Sequence, residues 1–122
     1  MQERHQLKSC KLPRVENRQV LVSGDLKSPY GLSLDFVNNE LYWADGQCGC
    51  IEAFHLVTKR RRRVVHSPEY YPYWVAVFEE WVYWSDRKMK AILKANKRTG
   101  EYQKDRGNNE FIRQVWRLSA FL

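Results

Sequence analysis

The chain has 122 residues and a mass of 14.7 kDa, of which 43% are hydrophobic, 14% aromatic and 29% charged. That is room for one packed domain; it excludes wholesale disorder, and no apolar run reaches the roughly 18–20 residues of a membrane-spanning helix. The formal net charge is +7, but five positive charges stand in one run, Lys59-Arg60-Arg61-Arg62-Arg63, and the remainder carries only +2.

From the amino terminus, Met1 to His5 lead into further polar residues without the apolar stretch of an export signal. Arg18 to Val22 reads as the last strand of a preceding unit. Leu32, Leu34 and Phe36 alternate with Ser33 and Asp35, the period of a half-buried strand with the apolar set inside. Asn38-Asn39 is a turn signal, and Leu41-Tyr42-Trp43 a second strand. Gly46 to Gly49 is a loop, Ile51 to His55 a third strand, and Arg63-Val64-Val65 opens a fourth, so the basic run falls in a solvated loop before it. Val75 to Phe78, Trp81 to Trp84 and Ala91 to Ala95 repeat the first three strands. After Thr99-Gly100 the pattern fades, and Phe111 to Leu122 reads as a helix or a frayed strand.

The repetition extends to individual residues. Leu41-Tyr42-Trp43-Ala44-Asp45 recurs 41 residues later as Val82-Tyr83-Trp84-Ser85-Asp86. Pro29-Tyr30-Gly31-Leu32-Ser33-Leu34 matches Pro72-Tyr73-Trp74-Val75-Ala76-Val77, and Ile51 and Ile92 each lie six residues after their aspartate. Four short strands per unit of about 40–45 residues is the signature of a propeller blade. The predicted fold is all-β, an incomplete propeller of two four-stranded blades plus part of a third. Its divisions are 1–28 (leader and last strand of a preceding blade), 29–71 and 72–107 (blades), and 108–122 (an ill-defined tail). Propellers close with about 4–8 blades, and two blades leave two unpaired edges. The chain therefore reads as a fragment of a larger protein, a degenerate gene product or one protomer of an assembled ring.

Cys10, Cys48 and Cys50 are an odd set, allowing at most one internal disulfide. Cys48 and Cys50 stand two apart; on a strand both would point to one face, and a bridge between them would be strained. No four-ligand zinc spacing is present, and His5, His55 and His66 show no ligand or triad spacing. No catalytic residue, metal site or cofactor is expected, and an enzyme is not. No Asn-x-Ser/Thr sequon is present.

These stretches, Pro29–Asp45 with Ile51–Glu52 and Pro72–Asp86 with Ala91–Gly100, resemble the YWTD, or class B, repeat of the low-density lipoprotein receptor family. The Ala95-Asn96-Lys97-Arg98-Thr99-Gly100 ending is similar to the closing blade of receptor-related proteins, a group that includes the Wnt co-receptor branch. The sequence departs from the pattern at three points. Leu56-Val57-Thr58 replaces an Asp-Gly turn, Gly46 and Arg87 replace a tryptophan after the motif, and Tyr30 stands where the family often has a ligand-reading asparagine.

The resemblance implies a non-enzymatic protein-binding module. It would be part of an endocytic or signalling receptor ectodomain on the extracellular side of the plasma membrane. The implied partners are an extracellular protein ligand and the remaining blades of a full-length receptor, with no small-molecule substrate. Tyr42, Trp43, Tyr83 and Trp84 would be interblade packing, and Asp45 and Asp86 hydrogen-bond acceptors tying strands together. Strand alternation puts the loops at Ser28–Tyr30, Gly46–Gly49, Pro68–Tyr73 and Arg87–Lys90 at one end, the family's usual protein-binding face. Tyr30, Tyr70, Tyr71, Tyr73, Trp74 and Arg87 are the candidate contact residues there, since aromatic and arginine side chains make good interface anchors. The alternatives are a nucleic-acid or heparin-like polyanion site at Lys59, Arg60, Arg61, Arg62 and Arg63, or a truncated product with no independent function.

Overall fold

The computed structural model describes residues 6–9, 19–103 and 113. Cys10 and, apart from Arg113, the 108–122 tail lie outside the described residues. Strands β1 (Gln6–Ser9) and β2 (Gln19–Ser23) form an antiparallel pair. Strands β3 (Pro29–Asp35), β4 (Glu40–Asp45), β5 (Cys50–His55) and β6 (Arg61–His66) form one four-stranded antiparallel sheet in sequence order. Strands β7 (Pro72–Phe78), β8 (Trp81–Asp86), β9 (Ala91–Asn96) and β10 (Tyr102–Gln103) form the second. The fold is all-β: two four-stranded propeller blades and part of a third. The repeat signal was thus a blade signal, and the second blade gains a fourth strand, β10, where the sequence pattern had faded.

The motif residues face opposite sides of their strand, because successive strand side chains alternate. Tyr42 and Ala44 join Ile51, Val64, Val75, Val82, Trp84 and Leu93 in the core between the two blades. Trp43 turns the other way, onto Phe54 and Val22 of β2. Trp43, Trp84 and Tyr42 are fully buried, and Tyr83 is almost so. Large rings thus fill the wedge between the twisted sheets.

Two expectations are revised. On β3 the apolar row Leu32, Leu34 and, just beyond it, Phe36 points outward (58%, 40% and 79% exposed), while Asp35 is buried. The inner face of β3 is taken by the second blade. Ser33 Oγ accepts from Val77 N–H at 3.1 Å, and a Cβ at Gly31 would lie 2.9 Å from the Tyr73 carbonyl. Small and polar residues fit that close approach, and leucine does not. The basic run is a solvated loop only at Lys59 and Arg60, because β6 begins at Arg61. The missing Asp-Gly turn is no loss either. Lys59 takes the left-handed conformation (φ 63°) that Gly100 takes in the second blade. His55 Nδ1 accepts from the N–H groups of Val57 and Thr58, as Asn96 Oδ1 does from Arg98 and Thr99.

A buried ion pair joins the blades at the end opposite the candidate face. Lys97 Nζ lies 2.8 Å from Asp35 Oδ2, and Asn38 donates to the same carboxylate. Burial opposes ionisation of Asp35, but the Lys97 and Asn38 hydrogen bonds outweigh it and hold the carboxyl below its ordinary value. A folded-state pKa below the unfolded one stabilises above the unfolded pKa, and that stability is lost as pH falls through the folded value. The advantage of the parent chain over Asp35→Asn in urea midpoint is therefore expected to hold at neutral pH. It should shrink once pH falls below about 4. A gap that stays constant down to acid pH would show the pair to be electrostatically idle.

Candidate functional site

Asp45 and Asp86 build the loop end of the blades. Each sits at the end of its strand, where its carboxylate reaches both the following turn and the chain entering the blade. Asp45 accepts from the N–H groups of Lys27 and Ser28 (2.8 and 2.9 Å) and from Cys48 N–H (3.1 Å). Asp86 accepts from the N–H groups of Tyr71, Lys88 and Met89 (2.9, 3.0 and 2.9 Å) and from the indole N–H of Trp84. A backbone bond accompanies each, Gly46 N–H to Ser28 O and Arg87 N–H to Tyr71 O. The carboxylates fix the entering segments, and with them the aromatic residues those segments carry. The two indoles also differ: Trp43 Nε1 is buried with no hydrogen-bond partner among the described residues, whereas Trp84 Nε1 has Asp86.

Four of the six candidate contact residues converge. The rings of Tyr30 and Tyr73 lie 4.8 Å apart at 43°. Tyr30 and Tyr71 share a hydroxyl–hydroxyl bond of 3.1 Å. The Arg87 guanidinium stands 4.0 Å from the centroid of Tyr73 and 5.8 Å from that of Tyr30. Hydrogen bonding to Tyr30 raises the Tyr71 phenol above its ordinary pKa, so it stays protonated. The floor under Tyr71 is Gly46, a residue whose role the sequence reading missed: any Cβ there would meet the Tyr71 ring. The glycine in place of the usual tryptophan was the available signal.

The other two candidates do not join them. Tyr70 turns inward, its ring edge-on to Trp84 at 5.5 Å and packed against the interblade core. Its phenol pKa is raised by that burial. Trp74 is half-buried, and its backbone N–H donates to Ser85 Oγ. At the same end, Cys48 and Cys50 are bridged, the one internal disulfide the sequence allows. Cys48 lies in the turn rather than on the strand. Gly49 is in the left-handed region (φ 72°), which curls the chain and brings the two Cα atoms to 5.2 Å, within the normal disulfide range.

The basic run divides by strand alternation. Arg61 leans toward β2, bonding both Glu52 oxygens (3.0 and 2.9 Å) and the carbonyls of Gly24 and Asp25, over the Trp43 ring. Arg62 leans toward the second blade, bonding Glu40, the Tyr42 hydroxyl and the Lys97 carbonyl. Burial pushes the Tyr42 phenol up to about 12, so its hydroxyl stays protonated and donates to Glu40. These two arginines are interblade ties. Lys59, Arg60 and Arg63 are exposed.

No family model matches the chain. It is 34% identical over 86 residues to a vitellogenin receptor from Solenopsis invicta, covering 70% of this chain and 5% of that protein. It is 36% identical over 80 residues to the sortilin-related receptor from Homo sapiens, covering 66% of this chain and 4% of that one. Protein cueball from Drosophila grimshawi is 30% identical over 93 residues, with 70% of this chain and 15% of the relative covered. The chain thus spans about one-twentieth of the receptors it matches. A chain in the crystal structure of a nidogen/laminin complex shares the fold, at TM-score 0.50 and 17% identity over 81% of this chain and 54% of that one.

Proposed function

Because its two four-stranded blades are YWTD repeats of the low-density lipoprotein receptor family, we propose that the chain is a non-enzymatic protein-binding module of a receptor ectodomain. The observation that carries this reading is the cluster of Tyr30, Tyr71, Tyr73 and Arg87 at the loop end. Its mechanism is rigid presentation: Asp45 and Asp86 set the loops, the rings brace one another, and a ligand meets a surface already ordered. Little side-chain entropy is then lost on binding. The chain would stand outside the cell as part of a larger receptor. The Ala95–Gly100 ending favours the receptor-related branch, to which a Wnt co-receptor belongs. The remaining blades of that receptor would cover the outward row of Leu32 and Leu34, which continues the Trp43–Phe54–Val22 contact toward the inner strand.

The test is selection of short random peptides on the immobilised full chain, followed by mapping. Binders are expected to lose about tenfold or more in affinity on Tyr73→Ala, given the usual weight of an aromatic anchor, and to be indifferent to Arg60→Gln at the opposite end. Gly46→Ala should weaken them too, since it displaces Tyr71. Binders that map to Arg60 and ignore Tyr73, or a selection that returns nothing, would overturn the reading.

A further inference from the structure

We propose that the cluster of Arg87, Tyr73, Tyr30 and Tyr71 is a carboxylate-recognising site, so that the partner of this face presents an aspartate or glutamate from an acidic segment. The inference rests on the binding-face reading above and adds the chemistry of the partner.

The cluster is made of hydrogen-bond donors. Among the described residues nothing accepts a hydrogen bond from the Arg87 guanidinium; its contacts are the faces of Tyr73 and Tyr30. Stacking occupies the face of the planar group and leaves its N–H edge open. That fork matches the two oxygens of a carboxylate, and the geometry favours a planar anion over a point acceptor. The hydroxyls of Tyr30 and Tyr71 carry two protons and make one bond to each other, so one proton remains to donate outward. Tyr30 and Tyr73 are 47% and 40% exposed, so the group is accessible.

The surroundings agree in sign. Lys27, Arg87, Lys88 and Lys90 are exposed on the loops at this end, with Asp25 and Glu69 as the exposed acids. Asp45 and Asp86 are buried and committed to backbone donors. At the surface itself four cations face two acids, a balance that favours encounter with an acidic segment over a basic one. A neutral peptide would leave the guanidinium edge desolvated without an acceptor, and that carries a penalty.

The peptide selection decides this as well, through composition. Selected peptides should be enriched in Asp and Glu. Changing those residues to Asn and Gln, or Arg87→Gln in the protein, should each weaken binding by about tenfold or more, with the two changes non-additive. Arg87→Lys should restore only part of the loss, because a point charge lacks the fork. Arg87 is exposed, so the Arg87→Gln melting curve should overlay the parent and a folding defect is separable. Neutral or basic peptides that still require Tyr73 would overturn the carboxylate site and leave the binding face standing. Acidic peptides whose affinity survives Arg87→Gln would do the same. Heparin binding that depends on Arg87 while acidic peptides are refused would also overturn it. No selected peptide at all removes both.

Discussion

Asp86→Ala is expected to cost about 3–5 kcal/mol of folding stability, on the basis of about 1–3 kcal/mol for each buried donor left unsatisfied. Asp86 is 3% exposed and accepts four hydrogen bonds. Those from Lys88 and Met89 come from an exposed turn, where water can replace the carboxylate. The Trp84 indole is fully buried and the Tyr71 N–H is half-buried, so these two carry the loss. Asp86→Asn retains an acceptor oxygen and should cost less than the alanine change. Urea denaturation followed by tryptophan fluorescence measures both, and a loss under about 1 kcal/mol for Asp86→Ala would remove the assigned role. The change also frees the segment bearing Tyr71 and Tyr73. Peptide binding should therefore fall even below the denaturation midpoint, which couples the stability of the motif to the geometry of the face.

Glu40→Ala is the second large effect, about 1–3 kcal/mol, because the buried Tyr42 hydroxyl loses its acceptor while the one-third-exposed Arg62 guanidinium can turn to water. Glu40 is 3% exposed and holds Arg62 at 3.2 Å, Arg98 at 2.8 Å and the Tyr42 hydroxyl at 3.1 Å. Arg98 is about half exposed, and its share is small, as for exposed pairs generally. Tyr42 carries most of the effect and Arg62 the rest, since both lie at the interblade seam. The double mutant Glu40→Ala with Arg62→Ala should be less damaging than the sum of the singles, by about 0.5–1 kcal/mol. Additive losses would show that the two side chains act independently. Arg60→Ala, one residue outside the strand and exposed, is the control and should fall within about 0.5 kcal/mol of the parent.

Much of this was legible in the sequence because it is periodic. Alternation along each strand, turn residues at fixed offsets and a motif repeated at 41 residues specify blades without any knowledge of their partners. The two aspartates were legible for the same reason: a carboxylate at the same place in two copies of a β unit points to a repeated local task. Tyr30, Tyr71, Tyr73 and Arg87 were legible as a set because strand alternation alone brings their loops to one end. Tyr70 was not, since a tyrosine in a connecting loop can face either way, and only the position of Trp84 turns it inward.

The sequence by itself determined strand order, the blade unit, the shared end of the loops and the residues available there. Tertiary structure decided which face of each strand is covered. A period of two gives two faces and does not say which one meets a neighbour. On β3 the close approach of β7 reserved one face for Gly31, Ser33 and Asp35, so the leucines lie on the other face, beside Trp43 and Leu41. On β6 the buried acids Glu52 and Glu40 drew Arg61 and Arg62 to opposite seams, turning two of the five residues of an apparent surface patch into interblade ties. Burial and charge pairing depend on neighbours distant in the chain, and one strand's pattern carries no record of them.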